Sequence, residues 1–490
     1  MAIRVYNTLK RKKEDFKPAV EGRVHIYICG PTVYDYSHLG HARAYVAFDV
    51  IRRYLDYRGY KVLYVENVTD VDDKIINRAA ETNQDALELS RRFAEEFDRD
   101  MKALGVKAPD VQPKVSEHIS DIIDIVKGLI ENGFAYEVDG DVYYRVLKFK
   151  KYTELSGLNI DELKAGARVD VDSRKESPLD FALWKKAKPG EVSWDSPWGK
   201  GRPGWHIECS AMSMKYLGAT LDIHGGGRDL IFPHHTNEIA QSEAYTGKKF
   251  AKYWMHNGFV TIDKEKMSKS LGNFFTIREI LKKYSPDVVR FFLLSTHYRS
   301  PIDFSDEHLK QAKIKLERLY NTLEAIDSAL KIKKPRNLSE EDKKIITQIE
   351  VHRKKFTDSM DDDFNTTEAI AALFELARTI NKYIETGKNP KVLQIGLDVF
   401  QEIDKVFNLF QLQEREIPKG ADKAVEEMLK ELKAAKMPET FEGKMEKLIT
   451  MREEARKAKD FETSDKIRAR LSEAGIVLED QAEGVKWKLR

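Results

Sequence analysis

The chain has 490 residues, 41% of them hydrophobic and 33% charged, with a net charge of +2 at pH 7. That length exceeds what one core supports and implies several domains. Two cysteines, Cys29 and Cys209, are too few for a disulfide scaffold. No apolar run approaches the ~18 residues of a membrane span. The stretch Met1 to Phe16 lacks the apolar centre of a secretory signal. A cytoplasmic protein without a membrane partner is expected.

Residues 24–28 alternate like a short buried strand, and 44–58 have the apolar spacing of a helix that stops at Gly59. Residues 61–68 (KVLYVENV) read as a second strand. The three form a βαβ unit, so a parallel sheet is expected. Ligands bind beyond the carboxyl ends of such strands, where Cys29, Thr69 and Asp70 fall. The pattern over 72–130 is helical and charged, and 134–149 is a hairpin turned at Asp139-Gly140. Residues 150–204, rich in Gly, Pro, Asp and Trp, read as an irregular insertion. Strand character returns at 220–224 and 253–262, with a helix between them opened by Pro233 and running to Tyr245. Thr276 to Glu279 is a capping box. From 305 to 412 the pattern is helical, with Met360 to Thr366 (MDDDFNT) as a helix-start turn despite its three acids. Pro418-Lys419-Gly420 marks a linker before charged helices and a short β-like end at 475–487. Lys and Arg are dense at 308–356 and 420–470.

Three constellations carry candidate chemistry. His38-Leu39-Gly40-His41 lies at a helix mouth, where free backbone N–H groups and the dipole favour phosphate. Two imidazoles there can donate to a charged transition state. The same pattern suits a plain helix start with two surface histidines. Lys266-Met267-Ser268-Lys269-Ser270 suits a polyphosphate clamp, or equally a solvated lysine loop. Gly225-Gly226-Gly227-Arg228 is not a phosphate loop of the Walker kind. In Pro233-His234-His235-Thr236-Asn237-Glu238, His234 and Glu238 stand at i and i+4 and share a helix face, while His235 points towards the side of Ile239. With Cys29 and Cys209 they make a four-donor set acceptable to zinc. Two core cysteines and a capping His-Glu pair are the alternative.

Taken together, His-Leu-Gly-His and the later Lys-Met-Ser-Lys-Ser resemble the paired signature of class I aminoacyl-tRNA synthetases, with Leu39 where isoleucine is usual. The blocks GPTVYDYSHLGHAR (30–43), GWHIECSAM (204–212) and HGGGRDLIFPHHTNE (224–238) are similar to those of the cysteinyl-tRNA synthetase family. The resemblance implies a fold class of α/β type. It comprises a Rossmann-type parallel-sheet catalytic domain with an insertion, then a helical bundle and a small C-terminal mixed domain. The expected boundaries are 1–300 for the catalytic domain, with the insertion at about 115–204 and the lysine loop at 266–270. The bundle is expected at 301–415 and an anticodon-binding domain at 420–490.

The same resemblance implies a ligase that activates L-cysteine with ATP, Mg2+ accompanying the nucleotide, and passes it to the 3′-terminal adenosine of tRNA(Cys). His38, His41, Lys266 and Lys269 would be catalytic, and Gly40, His41 and Lys269 would meet ATP. Cys29, Cys209, His234 and Glu238 would hold one Zn2+ per chain, which binds the substrate's thiol. An apolar pocket separates close isosteres by only roughly 10²-fold, whereas a soft metal–thiolate bond tells sulfur from oxygen. Thr69, Trp205, His224 and Asp229 would line the amino-acid pocket. In the tail, Arg456, Asp465 and Asp480 would bond base edges and Phe461 would stack on an unpaired base. A monomer is expected.

Overall fold

Four parallel strands form the central sheet, in the order Ala251–Asn257, Leu221–Gly227, Arg23–Ile28, Lys61–Glu66. The computed structural model describes residues 2–166, 173–262, 265–266, 275–332, 336–387, 389–410, 420–434, 437–438, 440–481 and 484–489. Ile26 is the register centre, opposite Tyr64 on one side and Ile223 on the other. The chain's first sheet strand is therefore central, and its successors leave to opposite sides. That reversal makes the crevice beyond Ile28 and Gly227 the switch point at which α/β sheets bind ligands.

Side chains alternate across the sheet as strand geometry requires. Val24, Ile26 and Ile28 face a core shared with the helix Leu39–Tyr57, the helix Pro286–Leu294 and the bundle. Tyr27 and Cys29 face a second core, built with the helices Ile119–Glu131, Trp205–Leu217 and Thr236–Thr246. The fold is thus α/β, with helices on both faces of a parallel sheet. The bundle helices are Asp306–Ile332, Glu340–Asp361, Thr366–Thr386 and Pro390–Phe407.

Local signals hold where chemistry forces them. Asp139 (φ 52°) and Gly140 (φ 90°) turn the hairpin Ala135–Val138/Asp141–Tyr144. Thr276 and Glu279 cap each other's backbone N–H groups. Asn365, ending the acidic MDDDFNT turn, caps the helix that follows. Three expectations change. The helix expected from 44 begins at Leu39, because His38 and His41 cap it. The 150–204 segment is not merely irregular: Phe181–Lys186 and Gly201–Pro203 extend the hairpin into a four-stranded antiparallel sheet. Those strands are short and take their register from a neighbour distant in sequence. The single strand expected at 253–262 breaks at Gly258, where an added Cβ would lie 2.3 Å from the Ser300 carbonyl oxygen.

The chain divides into two compact units, Met1–Phe410 and Gln411–Arg490. In the second, the helices Ala421–Glu431, Phe441–Lys457 and Phe461–Glu473 and the hairpin Ile476–Gln481/Gly484–Leu489 share a core that includes Val425, Leu429, Met445, Leu448, Leu471 and Ile476. Among the described residues no helix is long and apolar enough to cross a membrane.

In the first unit, buried Asp49 accepts from Arg53 Nε (2.8 Å), from the Lys107 amide (3.0 Å) and from Arg290 Nη2. Arg290 also bonds the Phe407 and Leu104 carbonyls. Replacing Asp49 by Ala strands a fully buried guanidinium. We expect a loss of roughly 3–5 kcal/mol, read as a lowered thermal midpoint.

Glu66 is buried at the end of its strand. Desolvation first, and then the charge of Asp98, push its carboxyl up from the usual carboxylate range to about 8. Below the ordinary glutamate value both folded and unfolded states hold the proton. Between there and about 8 only the folded state does, so stability falls as pH rises through that window. The slope reaches about 1.4 kcal/mol per pH unit. Glu66→Gln is expected to flatten this segment of the melting-temperature–pH curve.

Candidate functional site

At the switch point the strand Arg23–Ile28 ends and delivers Cys29. Gly30 follows because an added Cβ would lie 1.4 Å from the Asn67 carbonyl oxygen, on the neighbouring strand's end. Cys209 comes from the helix Trp205–Leu217, and Glu238 from the first turn of the helix Thr236–Thr246. His234 comes from the π-helical turn Ile231–His235 that leads into that second helix. All four are buried. Cys29 Sγ lies 3.8 Å from Cys209 Sγ and 3.5 Å from Glu238 Oε1, and His234 Nε2 lies 3.2 Å from the same oxygen. One donor atom from each falls within 4.8 Å of all the others, an arrangement that could hold a metal ion.

Burial disfavours charge on these groups. Desolvation pushes the Cys29 thiol and the Glu238 carboxyl well up and the His234 imidazole well down. A bound cation reverses that balance by stabilising thiolate and carboxylate.

His235 does not point away. Its Nε2 lies 3.3 Å from Cys29 Sγ, and a second donor group joins it with Cys29, His224 and Glu238. Residues three apart are also helix neighbours, so His235 and Glu238 face the same way as His234 and Glu238. His224 is fully buried beside Glu238. Its Nε2 is hydrogen-bonded to Glu238 Oε2 at 2.7 Å and its ring stacks on Trp254.

Thr69 is buried beside the site and donates from Oγ1 to Glu208 Oε2 (3.1 Å). Trp205, 37% exposed, lies over His234 with ring centres 4.6 Å apart. Asp229 is exposed in the 3-10 turn Arg228–Leu230. Two residues escaped the sequence reading. Asn67 Oδ1 accepts from the Gly30 amide (2.9 Å) and lies 3.6 Å from Cys209 Sγ, and its Nδ2 donates to Thr69 Oγ1 (3.3 Å). His206 Nδ1 meets His234 Nδ1 at 3.0 Å. The position of Asn67 at a strand's carboxyl end was the available signal; His206 offered none.

At the helix mouth the two histidines cap each other. The His41 amide donates to His38 Nδ1 and the His38 amide to His41 Nδ1, both at 3.3 Å, and the rings stack at 3.8 Å. With both Nδ1 atoms accepting, each neutral ring carries its proton on Nε2. Gly40 lies between them in the first turn. The Leu39 amide donates to the Phe275 carbonyl (3.3 Å) and the Ile277 amide to the Ser37 carbonyl (3.0 Å). Lys266 belongs to the short strand Glu265–Lys266, paired with Val260–Ile262. Its side chain, and Lys269 with the rest of the loop 267–274, lie outside the described residues. In the second unit Arg456 and Asp465 are exposed on adjacent helices, and Phe461, 59% exposed, opens the second of them. The Asp480 side chain lies outside the described residues.

Comparison with known proteins matches this architecture. A solved methionyl-tRNA synthetase of Mycobacterium tuberculosis superposes with a TM-score of 0.61 at 16% identity, covering 80% of this chain and 92% of that one. The family model described as "tRNA synthetases class I (C) catalytic domain" matches residues 15–314. By its sheet, its helix mouth and that match, the chain is a class I aminoacyl-tRNA synthetase. A DALR domain matches 355–411 and a "Cysteinyl-tRNA ligase anticodon binding domain" matches 440–487. A cysteine–tRNA ligase of Thermococcus onnurineus is 55% identical over 100% of this chain and 99% of its own. One of Geobacter metallireducens is 53% identical over the full length of both. The chain belongs to the cysteine–tRNA ligase family, whose members are ligases that form aminoacyl-tRNA.

If the four donors act as one site, Cys209→Ser is expected to abolish a metal content of about one ion per chain, measured by elemental analysis of the purified protein. Undiminished metal in that variant would exclude this donor set.

Proposed function

We propose that this chain activates L-cysteine with ATP and transfers it to the 3′-terminal adenosine of tRNA(Cys), with zinc at Cys29, Cys209, His234 and Glu238. The carrying observation is that a thiol-rich donor set and a mutually capped histidine pair are joined by one short segment, Cys29 to His41. A tetrahedral zinc with ordinary bond lengths separates two sulfurs by about 3.8 Å, sulfur from oxygen by about 3.5 Å and nitrogen from oxygen by about 3.3 Å. The observed separations of 3.8, 3.5 and 3.2 Å fit that tetrahedron. Zinc, when bound, supplies a soft Lewis acid that takes a substrate thiolate in preference to a hydroxyl.

The chain's own residues then position and stabilise. Thr69, Trp205, His224 and Asp229 are assigned to the amino-acid pocket, His224 beside Glu238 and Asp229 at the rim. The cysteine carboxylate attacks the α-phosphorus of Mg2+-ATP; its new O–P bond forms as the bond to pyrophosphate breaks. Negative charge rises on the phosphoryl oxygens, and the Nε2–H groups of His38 and His41 are the donors suited to it. Gly40 allows the nucleotide close to the backbone. Lys266 and Lys269 are assigned to the departing pyrophosphate. The backbone bonds that join Phe275 and Ile277 to the helix mouth support this, since the chain that follows the lysine loop lies beside His38. A ribose hydroxyl of the terminal adenosine, in this class usually the 2′, next attacks the adenylate carbonyl and AMP leaves. No enzyme nucleophile is required.

Residues 1–300 would be the catalytic domain with the insertion at about 115–204, 301–415 the bundle and 420–490 the anticodon reader. Exposed Phe461 would stack on a base between Arg456, Asp465 and Asp480, which would meet base edges. The enzyme would work as a monomer in the cytoplasm.

The test is ATP–pyrophosphate exchange with a panel of amino acids, followed by acylation of tRNA. Cysteine alone should support exchange. His41→Ala should lower the exchange rate by about 10²–10³-fold, with little change in the KM for cysteine. Cysteine-dependent exchange without tRNA acylation would overturn the assignment.

A further inference from the structure

Three of the four donors have a hydrogen-bonding side chain behind them. His224 bonds Glu238 and His206 meets His234, whereas Cys209 has the Asn67 Oδ1 oxygen at 3.6 Å, an acceptor with no proton to give a thiolate. The partner of Cys29 is His235, and here the contact continues away from the site. His235 Nε2 is 3.3 Å from Cys29 Sγ, and its Nδ1 is 2.8 Å from His256 Nε2. His256 Nδ1 is in turn 2.8 Å from Thr8 Oγ1. Both rings are buried, and Thr8 is half-buried. His235 packs closely on Gly226, where an added Cβ would meet its Cε1 at 3.2 Å.

A neutral imidazole carries one N–H and one acceptor nitrogen. A chain of two such rings can therefore run in only two directions. A metal-bound cysteine is a thiolate and has no S–H to donate. One direction remains. Thr8 O–H donates to His256 Nδ1, His256 Nε2–H to His235 Nδ1, and His235 Nε2–H to Cys29 Sγ.

We infer that His235, aligned by His256 and Thr8, is an outer donor to the Cys29 thiolate and a positioning residue for thiol selection. The inference rests on the proposed zinc reading and deepens it. His235 is not itself assigned as a ligand. The donor group that contains it also needs His224 and Glu238, whose 2.7 Å separation is a hydrogen bond, shorter than the about 3.3 Å edge of a zinc tetrahedron. Two thiolates and a carboxylate already outweigh the charge of a divalent ion by one unit. A hydrogen bond into Cys29 draws charge off its sulfur. The site is thereby left able to take one more sulfur donor, that of the substrate.

The experiment uses the full-length chain loaded with Co2+ in place of zinc. Three variants are compared: His235→Phe keeps ring volume without a donor, His235→Gln restores a donor near Nε2, and Thr8→Val removes the hydroxyl at the far end of the chain. Loss of a hydrogen bond raises the energy of the sulfur lone pair. The sulfur-to-cobalt charge-transfer band should move to lower energy in His235→Phe, less in Thr8→Val, and return towards its original position in His235→Gln. Chelator competition should show metal held about 10- to 100-fold more weakly in His235→Phe, still at one ion per chain, with the KM for cysteine raised more than kcat is lowered. An unmoved band in both His235→Phe and Thr8→Val would overturn the inference. So would loss of the ion from His235→Phe as complete as from Cys209→Ser, which would make His235 a ligand. Absence of any sulfur-to-cobalt band in the unaltered chain would instead overturn the zinc reading on which the inference rests.

Discussion

Two thiols, an imidazole and a carboxylate are buried within 4.8 Å of one another, and burial disfavours charge on Cys29, Glu238 and His234. That constraint organises the neighbourhood. Each donor arrives on a different piece of backbone, namely a strand end, a helix, a π-helical turn and a second helix. Glu238, His234 and Cys29 each have a histidine behind them, His224, His206 and His235. Gly30 must be glycine for the Cys29 strand to pass against Asn67. The resulting donor cluster is buried and its backbone is fixed by the sheet and the two helices.

The same strand end controls the helix mouth at His38 and His41. Strand alternation sends Cys29 to one layer and Ile28 to the other, where the helix Leu39–Tyr57 packs. Tyr45, one turn beyond His41, returns its hydroxyl to the Cys29 carbonyl at 3.3 Å. The helix mouth is also clamped from the other direction by the strand-like segment after the lysine loop. His38 and His41 are therefore positioned by backbone on two sides, and their tautomers are set by the caps they make. A helix N-terminus that spends its cap side chains on each other directs both Nε2–H groups outward from the cap.

Buried ion pairs connect this machinery to the bundle within the first unit. Asp49 ties the signature helix to Arg290 and through it to the Phe407 carbonyl. Arg43, two residues after His41, bonds the carbonyls of Leu293, Thr296, His297 and Ser300. Asp363, held at φ 65°, accepts from the Tyr6 amide, Tyr298 Oη and Arg299 Nε. These contacts join the N-terminal hairpin, the end of the catalytic part and the bundle's central turn. They give Asp363 of the MDDDFNT segment a structural role.

The sequence by itself determined the elements whose cause is local. The Asp139-Gly140 turn, the Thr276–Glu279 cap, the βαβ start and the i, i+4 pair His234–Glu238 follow from backbone preference and helix periodicity. Those signals depend on residues a few positions apart. The paired signatures and the two lone cysteines were legible for the same reason, as chemistry-bearing residues in short blocks. Only the tertiary structure decided the rest. Cys29, Cys209 and His234 meet because the strand order reverses at the switch point. Phe181–Lys186 and Gly201–Pro203 become strands because a distant hairpin offers them an edge. His235 was misread by applying only the four-residue interval, and its true orientation shows in its bond to a cysteine on another strand. His206 and His256 matter through partners remote in sequence, and so does Asn67 apart from its bond to Thr69. Periodicity reports which face a residue occupies, but what that face meets is set by packing.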